Sequence, residues 1–374
     1  MSKPVLTEIG SVHVATLHDA LQRASKIAPT KGAAWDRAQG IHLTFGEGFI
    51  EVRSTNTEMT YFQRVDAEVA VMGTYRMPST ILPSFVASMP MVKDTDRCRF
   101  LIDEASPSKV TVQYGKSKLK ASVKLIVGSY PEFGPIKLEG MTPAQELASS
   151  VEAVTWACDD SGKLAGVLIN GEDLIALDGK VAARINCEVS TEAPIVALLS
   201  PLVPLLKLGT NIHIKGVENK LVIALDDTTQ ITTTLILEPF PDIIDRMRAI
   251  ELPDSFQVNR QRLIDGLSRL TTFIKSSDRL PVCELRISQD LCEVGLTSDS
   301  GEVQDACVIT DQTMSQDKTF KFNPNRLIQA LESFKSSTVT IRYTPELPTR
   351  KPVHIANPSG EYEVWVIPMA DTAS

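Results

Sequence analysis

Asn259-Arg-Gln-Arg-Leu-Ile-Asp-Gly-Leu-Ser-Arg-Leu-Thr-Thr-Phe-Ile274 sets Leu263, Leu267, Leu270 and Ile274 at helical spacing, so a helix over 260–274 has one apolar face. Asn259 stands just before it, where its side-chain oxygen can accept from the free amides of the first turn. Two earlier stretches, Thr16 to Ile27 and Pro143 to Cys158, follow the same pattern, and the three recur about 120 residues apart, far beyond a solenoid period. Whole domains are repeated.

Each of these helices precedes an alternating strand pair around a tight turn. The pairs are Ile41 to Arg53 across Gly46-Glu47-Gly48, Val167 to Leu177 across Asn170-Gly171, and Cys283 to Gly295 across Gln289-Asp290. A second helix follows at Ser79 to Met89, Ile195 to Leu208 and Pro324 to Lys335. Behind these come the strand-forming segments Val110 to Val123, Ile212 to Leu225 and Val339 to Tyr343. Helix, hairpin, helix, hairpin is an α+β arrangement on mainly antiparallel sheet. Proline and aromatic residues cluster at Tyr130-Pro-Glu-Phe-Gly-Pro135 and Pro239-Phe-Pro-Asp-Ile243, which divides the 374 residues into 1–138, 139–251 and 252–374.

With 43% apolar and 22% charged residues the chain has the composition of a folded globular protein, not a disordered one. Its 38 basic and 46 acidic side chains leave a net charge of -8, which argues against a protein that coats nucleic acid with its whole surface. A local basic lining stays open. Met1 to Ile9 lacks the apolar core of a signal peptide and no stretch has the roughly 18 apolar residues of a membrane span, so a cytoplasmic protein without membrane contact is expected.

The six cysteines, Cys98, Cys158, Cys187, Cys283, Cys292 and Cys307, show neither zinc nor disulfide spacing and read as buried free thiols. Phosphate-loop, zinc-protease and nucleophile-elbow signatures are missing, and Gly46-Glu-Gly48 sits in a hairpin without the third glycine of a dinucleotide fold. Asp159-Asp160 and Asp226-Asp227 read as solvated loop acids. No catalytic residue, metal or cofactor is expected.

Five segments then carry a resemblance: Tyr130-Pro-Glu-Phe133, Ala176-Leu-Asp-Gly-Lys180, Phe240-Pro-Asp242, Phe322-Asn-Pro-Asn-Arg-Leu327 and Val366-Ile-Pro-Met369. In order and spacing over nearly the whole chain, they resemble the bacterial sliding clamp, the β subunit of DNA polymerase III, in a divergent bacterial or phage form. The resemblance implies three clamp domains per chain, two chains paired head to tail in a closed ring, and helices lining a hole that holds double-stranded DNA. Such a protein is a tether and not an enzyme.

The residues allow the positions to be named. Arg23 and Lys26 share one helix face and Arg262 and Arg269 another; with Lys31, Lys207 and Lys335 near helix ends they form a candidate lining that meets phosphates without reading bases. The resemblance implies a pocket for short peptide motifs of DNA polymerase, clamp loader and repair proteins. Carried over position by position it comprises Leu164, Leu177, Gly179, Lys180, Val181, Ala182, Pro241, Arg246, Trp365, Ile367, Pro368 and Met369. Lys180-Val181-Ala182 stands where the family usually has His-Arg-Leu, which makes the pocket shallower or less polar.

At the homodimer contact, a strand over Tyr114 to Lys120 would place Lys116, Lys118 and Lys120 on one face. The resemblance pairs it with the other chain's third domain, where Phe273 and Ile274 form an apolar plug and Asp299, Glu302 and Asp305 offer charges. The alternative is an enzyme or ligand-binding protein with its site in an inter-domain cleft.

Overall fold

Apolar residues at period two build strands with one buried side, and the chain begins this way. The architecture is that of a computed structural model describing residues 6–29, 38–91, 96–103, 107–128, 134–137, 139–189, 191–274, 281–298, 301–345 and 351–369. The first third holds β1 (Leu6–His13), α1 (Val14–Ile27), β2 (Ile41–Gly46), β3 (Phe49–Thr55), β4 (Met59–Val69), β5 (Gly73–Met77), α2 (Ile81–Ala87), β6 (Arg97–Asp103), β7 (Lys109–Tyr114) and β8 (Lys120–Lys124). Next come β9 (Thr142–Pro143), α3 (Leu147–Val154), β10 (Val167–Asn170), β11 (Asp173–Leu177), β12 (Val181–Asn186), β13 (Ile195–Ala197), α4 (Val203–Leu206), β14 (His213–Val217), β15 (Lys220–Ala224), β16 (Thr229–Thr234) and α5 (Ile244–Arg248). The last third carries β17 (Asp254–Asn259), α6 (Arg260–Thr271), β18 (Cys283–Ile287), β19 (Leu291–Ser298), β20 (Gly301–Thr313), β21 (Lys318–Phe322), α7 (Pro324–Glu332), β22 (Thr338–Tyr343), β23 (Val353–Ala356) and β24 (Tyr362–Val366).

The fold is α+β and every strand pair among the described residues is antiparallel. Contacts divide the chain into two units, Met1–Gln145 with Pro204–Leu235, and Glu146–Val203 with Ile236–Ser374. Among the described residues each carries one sheet of twelve strands.

In the first unit β4 is long enough to serve several partners: β3 along one side, and β16 and β1 at the two ends of the other. Pairing of Met59 to Gln63 with β16 carries the sheet from the first repeat into the middle one. In the second unit β12 pairs with β24 and so joins the middle repeat to the last. The middle repeat is therefore shared between the two units.

α1 buries Val14, Leu17, Ala20, Leu21, Ala24 and Ile27, the face that points at the sheet. α6 buries Leu263, Ile264, Gly266, Leu267 and Leu270, and Asn259 caps it by accepting from the Arg262 amide at 3.0 Å. Asn323 caps α7 in the same way, with Pro324 in the first turn where its missing N–H costs nothing. Five of the cysteines are buried and Cys158 is half-buried, all as free thiols.

Two expected elements are changed. Ile195 to Leu208 is not one helix, because Ile195 to Ala197 pair with β10 and only Val203–Leu206 is α-helical. The β-branched pair Ile195-Val196 suits a strand, and Pro201 and Pro204 remove amides that a continuous helix needs. Tyr114 to Lys120 is not one strand either: 115–119 is the turn between β7 and β8, with Gly115 at φ 50° and Ser117 Oγ donating to the Tyr114 carbonyl at 2.7 Å. Lys116 and Lys118 therefore project from a turn, and only Lys120 belongs to β8, an end strand of its sheet. Among the described residues no helix is long and apolar enough to cross a membrane.

Candidate functional site

Of the apolar residues expected at the pocket, Leu164, Leu177, Ala182 and Trp365 meet within the second unit, while Val181, next to Ala182 on its strand, faces the other side of the sheet. Leu177 lies opposite Ala182 on β11 and β12, and Ala182 lies opposite Trp365 on β24, so the register sets all three on one sheet face. Ile175, two residues before Leu177, joins them. α5 lays Ile244 and Met247 across this face, and Leu164, Leu168, Phe240 and Ile243 pack around it, half-buried. Trp365 is only 1% exposed, so it forms the floor and not the wall.

The rim is held by backbone. Asp178 Oδ1 accepts from the amides of Lys180 at 2.8 Å and Val181 at 2.9 Å, while its other oxygen pairs with Arg326 of α7. Gly179, at φ 84°, closes this turn in a conformation that favours glycine. The chain leaving β24 is tied at two points: the Ile367 amide donates to the Lys180 carbonyl at 2.9 Å, and the Met369 amide to the Lys321 carbonyl at 2.7 Å. Ile367 is 37% exposed, Pro368 is buried and Met369 half-buried. Lys180, Gly179 and Arg246 are exposed at the edge, Pro241 is half-buried, and Val181 is buried.

A charged group continues the same sheet face, since Glu363 stands two residues from Trp365 on β24. Its carboxylate takes Arg184 at 3.0 Å, His354 Nε2 at 3.2 Å and Arg248 of α5. Arg184 also binds Asp173 at 2.5 Å, and the His354 ring packs against the indole of Trp365 with centroids 5.0 Å apart. Burial works to raise the pKa of Glu363, but the bonds from His354 and Arg248 outweigh it and hold it at about 2. It is an anion at any physiological pH.

Residue spacing carried a signal for what the family pattern missed. Phe240, Ile243, Ile244 and Met247 fall at i, i+3, i+4 and i+7, a helical face arriving at the pocket. Glu363 stands alone in the apolar run Tyr362 to Ile367, and a lone acid in such a run must be paired if buried.

The candidate DNA-contact cations lie on or beside helices. Arg23 and Lys26 are on α1, Arg23 half-buried near the Tyr61 hydroxyl and Lys26 exposed; Lys207 follows α4 and is exposed. In the second unit Arg262 and Arg269 are exposed on α6, and Lys335 is exposed beyond α7. Arg269 donates to Asp305 at 2.9 Å, and this guanidinium holds the Asp305 carboxyl below its usual range. Lys31 lies outside the described residues.

Of the residues expected at the dimer contact, Phe273 is 39% exposed just past α6, Ile274 is half-buried, and Lys116, Lys118, Lys120 and Glu302 are exposed. Asp305 already has Arg269, so it is not a spare charge for an incoming lysine. Asp299 lies outside the described residues. Among the described residues no three His, Cys, Asp or Glu side chains gather as metal ligands.

No family model matches the sequence and no curated protein matches it. Solved structures do match in fold. The β subunit of the DNA polymerase of Streptococcus pyogenes aligns at 18% identity over 98% of this chain and 100% of its own, with a TM-score of 0.83. The DNA polymerase sliding clamp of Caulobacter crescentus aligns at 13% identity over 97% and 100%, with a TM-score of 0.85. The sliding clamp of Bartonella birtlesii bound to griselimycin aligns at 16% identity over 97% and 100%, with a TM-score of 0.84.

Proposed function

We propose that this chain, which has the fold of the bacterial replication clamps, is itself a DNA sliding clamp: a processivity factor without catalytic activity that encircles duplex DNA as a head-to-tail homodimer. The observation that carries the reading is likeness of fold along nearly the whole chain, not to a single domain. Residues 1–138, 139–251 and 252–374 are its three clamp domains, six in the ring, and its place of work is the cytoplasm.

Duplex DNA is held without regard to sequence. Arg23, Lys26, Lys31, Lys207, Arg262, Arg269 and Lys335 meet phosphates, which lets the ring slide because backbone contacts carry no base information. An overall charge of -8 is compatible with this role, since acids elsewhere repel DNA while local cations accept it.

Partners dock in the apolar cleft of Leu164, Leu177, Ala182, Met247 and Trp365, with Met369 and Arg246 at its rim. Short apolar peptide motifs of the polymerase, the clamp loader and repair proteins are its ligands, and griselimycin serves as a probe of it. Lys180-Val181-Ala182 makes this cleft shallower on one side.

Loading onto DNA is the test. The protein should stay on closed circular DNA after loading by a clamp loader and leave once that DNA is linearised. Lys26→Glu with Arg262→Glu should weaken retention equally on unrelated sequences. Retention that survives linearisation, or depends on a particular sequence, would sink the proposal.

A further inference from the structure

We propose that Glu363 is a positioning residue of the cleft, which fixes the wall formed by α5 through its ion pair with Arg248. The inference rests on the reading of this cleft as the partner site and adds what holds it open in a binding shape.

α5 spans only Ile244–Arg248, too short to keep a helical form by its own hydrogen bonds. Its position must come from what it touches. Ile244 and Arg248 are four apart and point to the same side, down onto the sheet, while Met247 completes the apolar contact. Two apolar side chains therefore rest on Trp365, Leu177 and Ile175, and the third attachment is ionic.

The anchor under that attachment is rigid. Glu363 is gripped from both neighbouring strands, by Arg184 on β12 at 3.0 Å and by His354 on β23 at 3.2 Å. The side chain of Glu363 is 12% exposed and that of Arg248 40%, so the carboxylate belongs to the sheet and the guanidinium reaches it from the surface. Remove Arg248 and the carboxylate keeps two partners, so the sheet loses little. What is lost is the tether of α5. Since α5 brings Met247 to the cleft and Arg246 to its rim, its freedom becomes freedom of the binding wall, and a ligand must then order it at the cost of affinity.

Hydrogen exchange and griselimycin titration on the full-length protein test this together. The marker amides are Met247, bonded to the Ile243 carbonyl at 2.8 Å, and Ala249, bonded to the Asp245 carbonyl at 3.0 Å. Arg248→Met keeps the aliphatic stem and removes the charge; exchange across 243–249 should rise about tenfold while β11, β12 and β24 stay protected, and griselimycin should bind about threefold to tenfold more weakly. Glu363→Gln should act in the same direction; if that variant fails to fold, Arg248→Met still decides. Unchanged protection of α5 in Arg248→Met overturns the proposal, and so does a loss of griselimycin affinity without faster exchange, which would make Arg248 a direct ligand contact. If the unaltered protein does not bind griselimycin, the assignment of the cleft falls, while the exchange measurement still settles whether Glu363 holds α5.

Discussion

Trp365 and Met369 stand four residues apart and need opposite experiments. Trp365 is buried under α5, so Trp365→Ala opens a cavity and should cost about 3 to 5 kcal/mol in urea unfolding, with peptide affinity no longer a clean reading. Met369 is half-buried just past β24; on the proposed reading, which sets it at the rim, Met369→Ala should leave the unfolding midpoint nearly unchanged and weaken griselimycin by about 1 kcal/mol or more, measured by calorimetry. An unchanged affinity would move the cleft away from the C-terminal strand. Acid should reveal two further residues. His42 is pushed down from 6.5 to about 4 by burial, with Arg53 and Arg76 adding to it. The unfolded chain therefore takes up a proton below about pH 6.5 that the folded chain refuses, and stability should decline from there towards pH 4. Glu363, held at about 2 against an ordinary 4.5, adds a second decline from about pH 4.5 downwards. Urea titrations between pH 7 and pH 3 should show His42→Gln flattening the upper part of the slope, and an unaltered slope would mean that His42 already titrates normally.

At the scale of elements, caps and turns were the most readable features. Asn259 was legible as a cap because asparagine before an apolar helical pattern has a specific task, and its oxygen does accept from Arg262. Asn259→Ala should therefore cost about 1 kcal/mol, read as a lower urea midpoint with an unchanged slope. The same kind of reasoning failed at Tyr114 to Lys120, where alternate lysines imitate a strand. Gly115 and the Ser117 hydroxyl close a turn there instead, so the three lysines do not share a strand face. In the proposed dimer their contribution should accordingly be small. Lys116→Glu with Lys118→Glu should alter the salt dependence of dimerisation while leaving a dimer in sedimentation at low salt, since exposed pairs contribute about 0 to 1 kcal/mol each.

For the whole molecule the decisive prediction concerns ring closure. Phe273 keeps 39% of its surface exposed just past α6, apolar area available to a partner chain. Phe273→Ala with Ile274→Ala should shift the protein to monomer in sedimentation equilibrium and abolish retention on circular DNA, whereas added salt should loosen the dimer only modestly. A double variant that stays dimeric would remove this surface from the contact. Arg269 belongs to the same scale: because Asp305 already neutralises it, Arg262 should contribute more to DNA retention than its neighbour two turns along.

Sequence by itself determined the repeated helix and hairpin pattern, the cap of α6, the tight turns around Gly46-Glu47-Gly48 and Asn170-Gly171, and the free thiols. All of these are local: period, turn chemistry and side-chain volume act over a few residues and leave their mark in order along the chain. The joining of β16 to β4 and of β12 to β24 was decided only in three dimensions, because edge pairing depends on which strands are left open after each repeat has folded. The pocket shows the division within a single strand. The family resemblance alone assigned Trp365 to a pocket; that it lies beneath α5, and that Glu363 two residues earlier grips Arg248, follows from register across β12, β23 and β24, where residues far apart in sequence share one face.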